Sequence, residues 1–314
     1  MIDLLYKFYS FFCNNNIFLE KLKINSVFRY MIRVCSNILI PIWYKLTEYN
    51  SHYRIDPTNK MEGRLIASLT TFPTRIDKIW IVIESILRQT QKPDMLILWL
   101  SKEQFSSINE LPVRLKNLQK RGLKIYLCDE DLRSHKKYYY VLRDYPKDHL
   151  FTFDDDLIYP TNTISSVMSV AKLHPDCIVG RYSNQISLDD RGNVCFVSGK
   201  KRNIAGCPLW TTFIGSGGGT LYPAGSLPKI TQDKETFMSI CRTADDVWLN
   251  TMCRFSGHKV VATMNNCPLL EIIYKYNTTL TSVNYGKENY RQQMAVRNFC
   301  IANGYDPFEL IKLD

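Results

Sequence analysis

The 314-residue chain lacks any uninterrupted apolar run of the ~18 residues that a membrane span needs. It lacks a basic segment followed by a clean apolar stretch at its start, so no cleaved signal peptide is expected. Its ten cysteines (13, 35, 128, 177, 195, 207, 241, 253, 267, 300) include no Cys-x-x-Cys pair. That spacing argues against a zinc site and against a small disulfide scaffold, and for reduced thiols in a cytosolic protein. Several chemistry-bearing motifs are missing as well. There is no P-loop, no dinucleotide-binding glycine turn, no nucleophile elbow and no His-Glu-x-x-His helix. No internal repeat is visible, and no linker-like segment follows residue 64.

What remains is an ordinary globular composition, 45% hydrophobic, enough for one large domain or one domain with appendages. The formal net charge of +10 favours anionic partners: nucleic acid, anionic lipid or phosphate-bearing small molecules. The charge is spread out rather than gathered in a block. Residues 1–60 hold eight Lys/Arg against four acids, net +4, which leaves +6 for the remainder. With no basic-aromatic stripe, nucleic acid is not expected as a partner.

Residues 1–60 read as an N-terminal amphipathic helical extension to a domain over residues 61–314. Leu4, Leu5, Phe8, Phe11 and Phe12 recur at helical spacing with Lys7 among them. A second stretch runs from Val27 to Leu39 with Arg29 and Arg33, and Pro41 is expected to limit it. Basic amphipathic helices with aromatic faces can lie on an anionic membrane surface; they can also simply pack on the domain that follows. The first alternative implies a cytoplasmic protein held peripherally at the inner face of the plasma membrane.

From residue 64 the pattern alternates between strands and helices. Strands are expected over 64–71, 95–100, 123–128 and 150–153, and helices over 76–88, 111–121, 134–145 and 161–174. Such alternation implies an α/β fold with a mostly parallel central sheet flanked by helices, binding ligands beyond the carboxyl ends of its strands. The second half is less regular. It offers hairpin material around Asp190-Arg191-Gly192-Asn193, a glycine-rich loop over 215–219, and a helix over 244–255 that Thr243 could cap. A strand over 258–264 and a terminal helix over 288–303 follow.

Three consecutive aspartates, Asp154, Asp155 and Asp156, sit between two apolar runs at the expected end of the fourth strand. Aspartate is a poor strand residue, and adjacent carboxylates repel one another and are costly to desolvate. The cluster therefore calls for a compensating cation, and oxygen-only ligands suit Mg²⁺ or Mn²⁺. On an extended chain Asp154 and Asp156 would face one way and Asp155 the other. A second acidic pair, Asp245 and Asp246, opens the helix expected from residue 244, beside Val247, Trp248 and Leu249. An apolar wall raises a carboxyl pKa, so one of the two, Asp246 for preference, could deprotonate a bound hydroxyl. Gly217, Gly218 and Gly219 would allow close backbone approach to a ligand, and Trp210 could stack on a ligand ring.

An apolar strand, then Phe153-Asp154-Asp155-Asp156, then a helix, resembles the Asp-x-Asp arrangement of nucleotide-sugar glycosyltransferases of the GT-A fold. The segment Ser68-Leu69-Thr70-Thr71-Phe72-Pro73-Thr74-Arg75 resembles their first strand and nucleotide-binding turn. Ser134-His135-Lys136-Lys137-Tyr138, upstream of the aspartates, Ala244-Asp245-Asp246-Val247-Trp248 downstream, and the Gly-Gly-x-Leu-Tyr-Pro stretch ending at Pro223 agree. The layout is similar to exostosin-like and bacterial polysaccharide glycosyltransferases over about residues 64–270. The resemblance implies a nucleotide-sugar donor, UDP-linked for preference, and a glycan or lipid-linked acceptor. Asp156 would hold the metal, with His258 as a possible late ligand. Asp154 and Asp155 would meet donor hydroxyls. Thr70, Arg75, Lys136 and Lys137 would contact nucleotide or phosphate, and Asp245 or Asp246 the acceptor. Two rivals are a metal-dependent phosphotransferase using the same carboxylates and a sugar-binding protein without turnover.

Overall fold

The computed structural model describes residues 1–13, 24–56, 60–197, 204–265, 267–274 and 287–314. Helices α1 (Ile2–Cys13) and α2 (Ile24–Leu46) precede β1 (Leu65–Thr70), α3 (Ile79–Leu87) and β2 (Met95–Ser101). Then come α4 (Val113–Asn117), β3 (Leu123–Cys128), α5 (Lys136–Asp144), β4 (His149–Phe153), β5 (Leu157–Ile158) and α6 (Thr163–Leu173). Six strands follow: β6 (Ile178–Gly180), β7 (Ser183–Leu188), β8 (Val194–Phe196), β9 (Pro208–Leu209), β10 (Thr212–Ile214) and β11 (Gly218–Tyr222). The chain continues through α7 (Lys234–Ile240), α8 (Asp245–Phe255), β12 (Val260–Ala262), β13 (Leu270–Glu271) and α9 (Lys287–Ala302).

The principal sheet has the order β3-β2-β1-β4-β11-β6-β12-β9. The first four strands are mutually parallel, β12 is parallel to β6, and β11 runs antiparallel between β4 and β6. The architecture is thus mixed α/β with a large, mostly parallel sheet flanked by helices. Strands β1 and β2 are apolar without alternation because both faces are covered. Ala67, Leu69, Leu96 and Leu98 meet Ile79, Ile83 and Leu87 of α3 in one core. Ile66, Ile97 and Trp99 meet Tyr138 and Val141 of α5 and Met252 of α8 in the other.

Several boundaries differ from the sequence expectation. Pro41 does not limit α2, which continues to Leu46. Buried Ile40 and Tyr44 anchor that stretch to the domain and outweigh the lost backbone hydrogen bond. The helix expected over 111–121 is short: α4 gives way to a 3₁₀ turn, Leu118–Arg121, which Gly122 ends at φ 102°. Gly218 and Gly219 belong to β11 rather than to a loop.

The described part of the extension packs on the domain. Ile2, Tyr6, Ile40 and Tyr44 are buried in the core around α3. The Asp3 carboxylate accepts from the backbone N–H (3.0 Å) and hydroxyl (2.7 Å) of Thr161. Arg88 lies over the rings of Trp43, Tyr44 and Tyr53 and donates to the Thr47 hydroxyl at 2.9 Å. Its own charge is met by buried Glu84, at 2.9 Å, which also accepts from Arg121 at 3.0 Å. Glu84→Ala leaves buried Arg88 and part-buried Arg121 without their shared carboxylate, so we expect a loss of about 3 kcal/mol. Urea unfolding should show a lower midpoint at an unchanged slope.

Candidate active site

The carboxyl ends of parallel β1 and β4 open on a cleft of about 880 Å³, where ligands of such sheets bind. The core rings Phe151 and Phe153 fix β4, which ends at Phe153, and residues 154–156 turn out of the sheet at the cleft edge. Antiparallel β11 brings the 215–217 turn alongside. The Asp154 N–H donates to the Gly217 carbonyl at 3.1 Å, and the Tyr159 hydroxyl donates to the same carbonyl at 2.5 Å. A β-carbon at Gly217 would overlap the Asp154 carboxylate, so only glycine fits there.

Two buried cations neutralise the aspartates. Arg75 bonds Asp155 and, at 2.9 Å, Asp156, while its guanidinium lies between the rings of Phe72 (5.1 Å) and Tyr274 (5.2 Å). Lys137 bonds Asp154 at 2.7 Å and Asp245 at 2.9 Å, linking the end of β4 to the start of α8. Burial disfavours both cations, but the facing carboxylates outweigh it and raise both pKa values. The Lys137 backbone is held in turn, its carbonyl accepting from Ser68 at 2.5 Å. His135, stacked on Phe237 at 4.3 Å, meets the Tyr138 hydroxyl and the Cys241 carbonyl, each at 2.8 Å. Burial lowers its pKa to about 4, so the ring is neutral and serves as a brace.

Asp245 and Asp246 are adjacent but unlike. Burial pushes Asp245 up, yet the Lys137 ammonium and the Ser216 hydroxyl, at 2.6 Å, help to hold it at about 2. Asp246 is half-buried on the cleft. Burial and the charge of Asp245 push it up to about 7, against the Val247 N–H it accepts at 2.9 Å. One carboxylate is thus a fixed charge and the other a proton acceptor near neutrality. Asn250 fastens this helix to β10, exchanging bonds with both backbone groups of Ile214.

Among the described residues, seven acids and four bases line the cleft, in a chain whose net charge is +10. The acidic excess suits a cation. Asp154 and Asp156 stay 42% and 30% exposed, each with a bond from one protein cation. A Mg²⁺ or Mn²⁺ ion takes one or two carboxylates and completes its shell with water and phosphate oxygens, so the two fit such an ion. No group of three or more His, Cys, Asp or Glu that could hold a metal occurs among the described residues.

Thr70, Arg75, Lys136, Lys137, all three aspartates, Gly217, Gly218, Asp245 and Asp246 line the cleft. Others among the expected site residues do not, or are differently employed. Asp155 is buried, with Thr71 at 2.5 Å and Arg75 on its oxygens, so it braces the turn rather than meeting a ligand. Asp155 and Asp156 form a turn, so strand alternation does not govern them. Lys136 and Lys137 are buried against Asp131 and against Asp154 and Asp245, and so are not open to phosphate. His258 precedes β12, whose parallel course puts it at the far edge of the sheet; its Nδ1 meets the Asp176 carbonyl at 2.7 Å. Trp210 lies at that same edge, its ring under Lys259 and its carbonyl accepting from Arg254 at 2.8 Å. Gly219 packs toward Thr163, away from the cleft. The aromatic rings on the cleft are instead Phe72, Tyr182, Phe196, Phe213 and Tyr290.

Arg133 was not legible in the sequence. It lines the cleft with a side chain 47% exposed, 3.4 Å from Asp131, and has the one positive φ of a non-glycine residue in the described chain, 53°. Such strained positions gather at ligand sites. Its proximity to Ser134-His135-Lys136 was the available signal.

No family model matches this chain, and no curated protein matches it. Solved structures are similar at low identity, two of them as follows. A mannosyltransferase, PcManGT from Pyrobaculum calidifontis in complex with GDP-Man and Mn²⁺, is 11% identical over 90% of this chain and 78% of its own, with a TM-score of 0.47. TarS residues 1–349 from S. aureus, in complex with UDP, is 10% identical over 75% of this chain and 70% of its own, with a TM-score of 0.42.

Proposed function

We propose that this chain is a metal-dependent glycosyltransferase. It moves a hexosyl or N-acetylhexosaminyl group from a nucleoside diphosphate donor, UDP for preference, to a glycan or lipid-linked acceptor in surface polysaccharide synthesis. One observation carries the reading. A proton acceptor poised near neutrality, Asp246, shares a cleft with the open carboxylates Asp154 and Asp156, at the carboxyl ends of parallel strands.

Asp154 and Asp156 would hold the divalent ion, which when bound neutralises charge building on a departing diphosphate. Arg133, the most exposed of the cleft's four described bases, would pair with the donor phosphates. Asp246 takes the proton from the acceptor hydroxyl as that oxygen attacks the sugar carbon. Asp245, locked to Lys137 and Ser216, keeps a constant negative charge beside it and so maintains its basicity. The apolar rings of Phe196 and Phe213 give the acceptor side a surface to lie on.

The reading is tested with purified protein, a panel of nucleotide sugars and Mn²⁺, following nucleotide release and the shift in melting temperature. Metal-dependent release supports it; no response to any nucleotide sugar overturns it, and binding without turnover favours a binding protein. Asp246→Asn should lower kcat by about 10²–10⁴ and leave the donor-induced melting shift in place. Because the base works ionised and its pKa is raised to about 7, kcat/KM should fall about tenfold per pH unit below that value. Asp156→Ala should abolish the metal-dependent melting shift. Arg133→Ala should raise the donor KM about tenfold or more, with a smaller change in kcat.

A further inference from the structure

We infer that the outward face of α1 and α2 docks on an anionic lipid bilayer. In α2, Val27, Met31, Ile38 and Ile42 are exposed and recur at helical spacing, flanked by exposed Phe28 and Leu39. In α1, Leu4, Phe8 and Phe11 are exposed on one side, Phe11 to 66%. Phe12 joins the two surfaces: its ring meets Phe11 at 5.2 Å and stacks on Phe28 at 4.7 Å. Single exposed apolar side chains are ordinary, but a continuous apolar surface over two helices marks a contact site. The opposite faces, with Ile2, Tyr6, Ile40 and Tyr44, are already used against the domain.

Charge identifies the partner. Besides Arg33, which is paired with Glu271, the two helices carry Lys7, Arg29 and Lys45 against one acid, Asp3. Among the described residues Asp3 bonds only the neutral Thr161, so its charge offsets one of these and leaves the two helices net positive. An apolar face edged with Lys and Arg fits a surface of anionic headgroups over acyl chains. A second copy of the same face would set these positive charges against one another. No described helix is long and apolar enough to cross a membrane, so the contact lies along the interface. Docking also orients the cleft. Asn37 bonds the Glu271 carbonyl at 3.0 Å and the Ile273 N–H at 2.8 Å, and Arg33 bonds Glu271 at 2.7 Å; Glu271 lines the cleft.

Flotation of the full chain tests this independently of any transferase activity. It should rise with vesicles of phosphatidylcholine and phosphatidylglycerol, rise far less with phosphatidylcholine alone, and detach as salt increases. Lys7→Ala with Arg29→Ala should weaken partition about 25-fold, taking about fivefold for each charge at an anionic surface. Phe8→Glu with Phe11→Glu changes only exposed positions and should abolish flotation at an unchanged melting temperature. Absence of flotation, or flotation indifferent to the phenylalanine variant, overturns the inference. So does a wild-type dimer in sedimentation that the phenylalanine variant breaks while no vesicle binds, which makes the face a self-association surface.

Discussion

The ammonium of Lys137 is the constraint on which the site depends. It sits between Asp154 at the end of β4 and Asp245 at the start of α8, bonded to both. A buried charge needs its partners, and each partner needs it. The bond therefore sets the spacing of the two acidic pairs, and it sets their chemistry too. It helps to hold Asp245 ionised, and burial together with the ionised Asp245 raises the pKa of Asp246. The lysine supplies positive charge in the cleft without occupying the open sides of Asp154 and Asp156.

Much of this was legible in the sequence, and the failures have a common origin. Strand and helix positions followed from hydrophobic period, and β3 coincides with its expected bounds. The carboxylates were conspicuous because acids beside apolar runs violate burial rules. Their partners were less so. A lysine in a helix reads as a surface charge, and nothing local tells that Lys137 faces two aspartates distant in the chain. His258 and Trp210 fail for a topological reason: a residue before a strand and one after it lie at opposite sheet edges, and spacing alone does not show strand direction. Asp155 fails because the strand stops one residue before the aspartates begin, so a period of two no longer applies. The left-handed backbone of Arg133 has no signal in composition at all, since arginine is not a residue that prefers it.

The N-terminal helices are part of the same frame. The Tyr6 hydroxyl donates to the Ile158 carbonyl and accepts from the Leu270 N–H at 3.3 Å. It thus touches both strands of the small β5–β13 ribbon just beyond the aspartates. Helix α1 holds the cleft rim through Tyr6 and α2 holds it through Asn37, so the rim is as firm as the packing of α1 and α2 makes it.

The order of the charged residues along the chain has a consequence for folding. Arg75 and Lys137, the two cations that bond the three aspartates, precede the carboxylates they neutralise. A chain emerging from the ribosome therefore presents its counter-ions before its carboxylates. Arg75 can meet Asp155 and Asp156 once β4 joins β1, without waiting for the second half. Asp245 comes later, after β4 and β11, which pair with each other, have both been synthesised. Its contact with Lys137 spans more than a hundred residues, and such long-range closures are the slow steps of assembly. Asp155 and Asp156 can thus find their counter-ion before Asp245 and Asp246 have been synthesised.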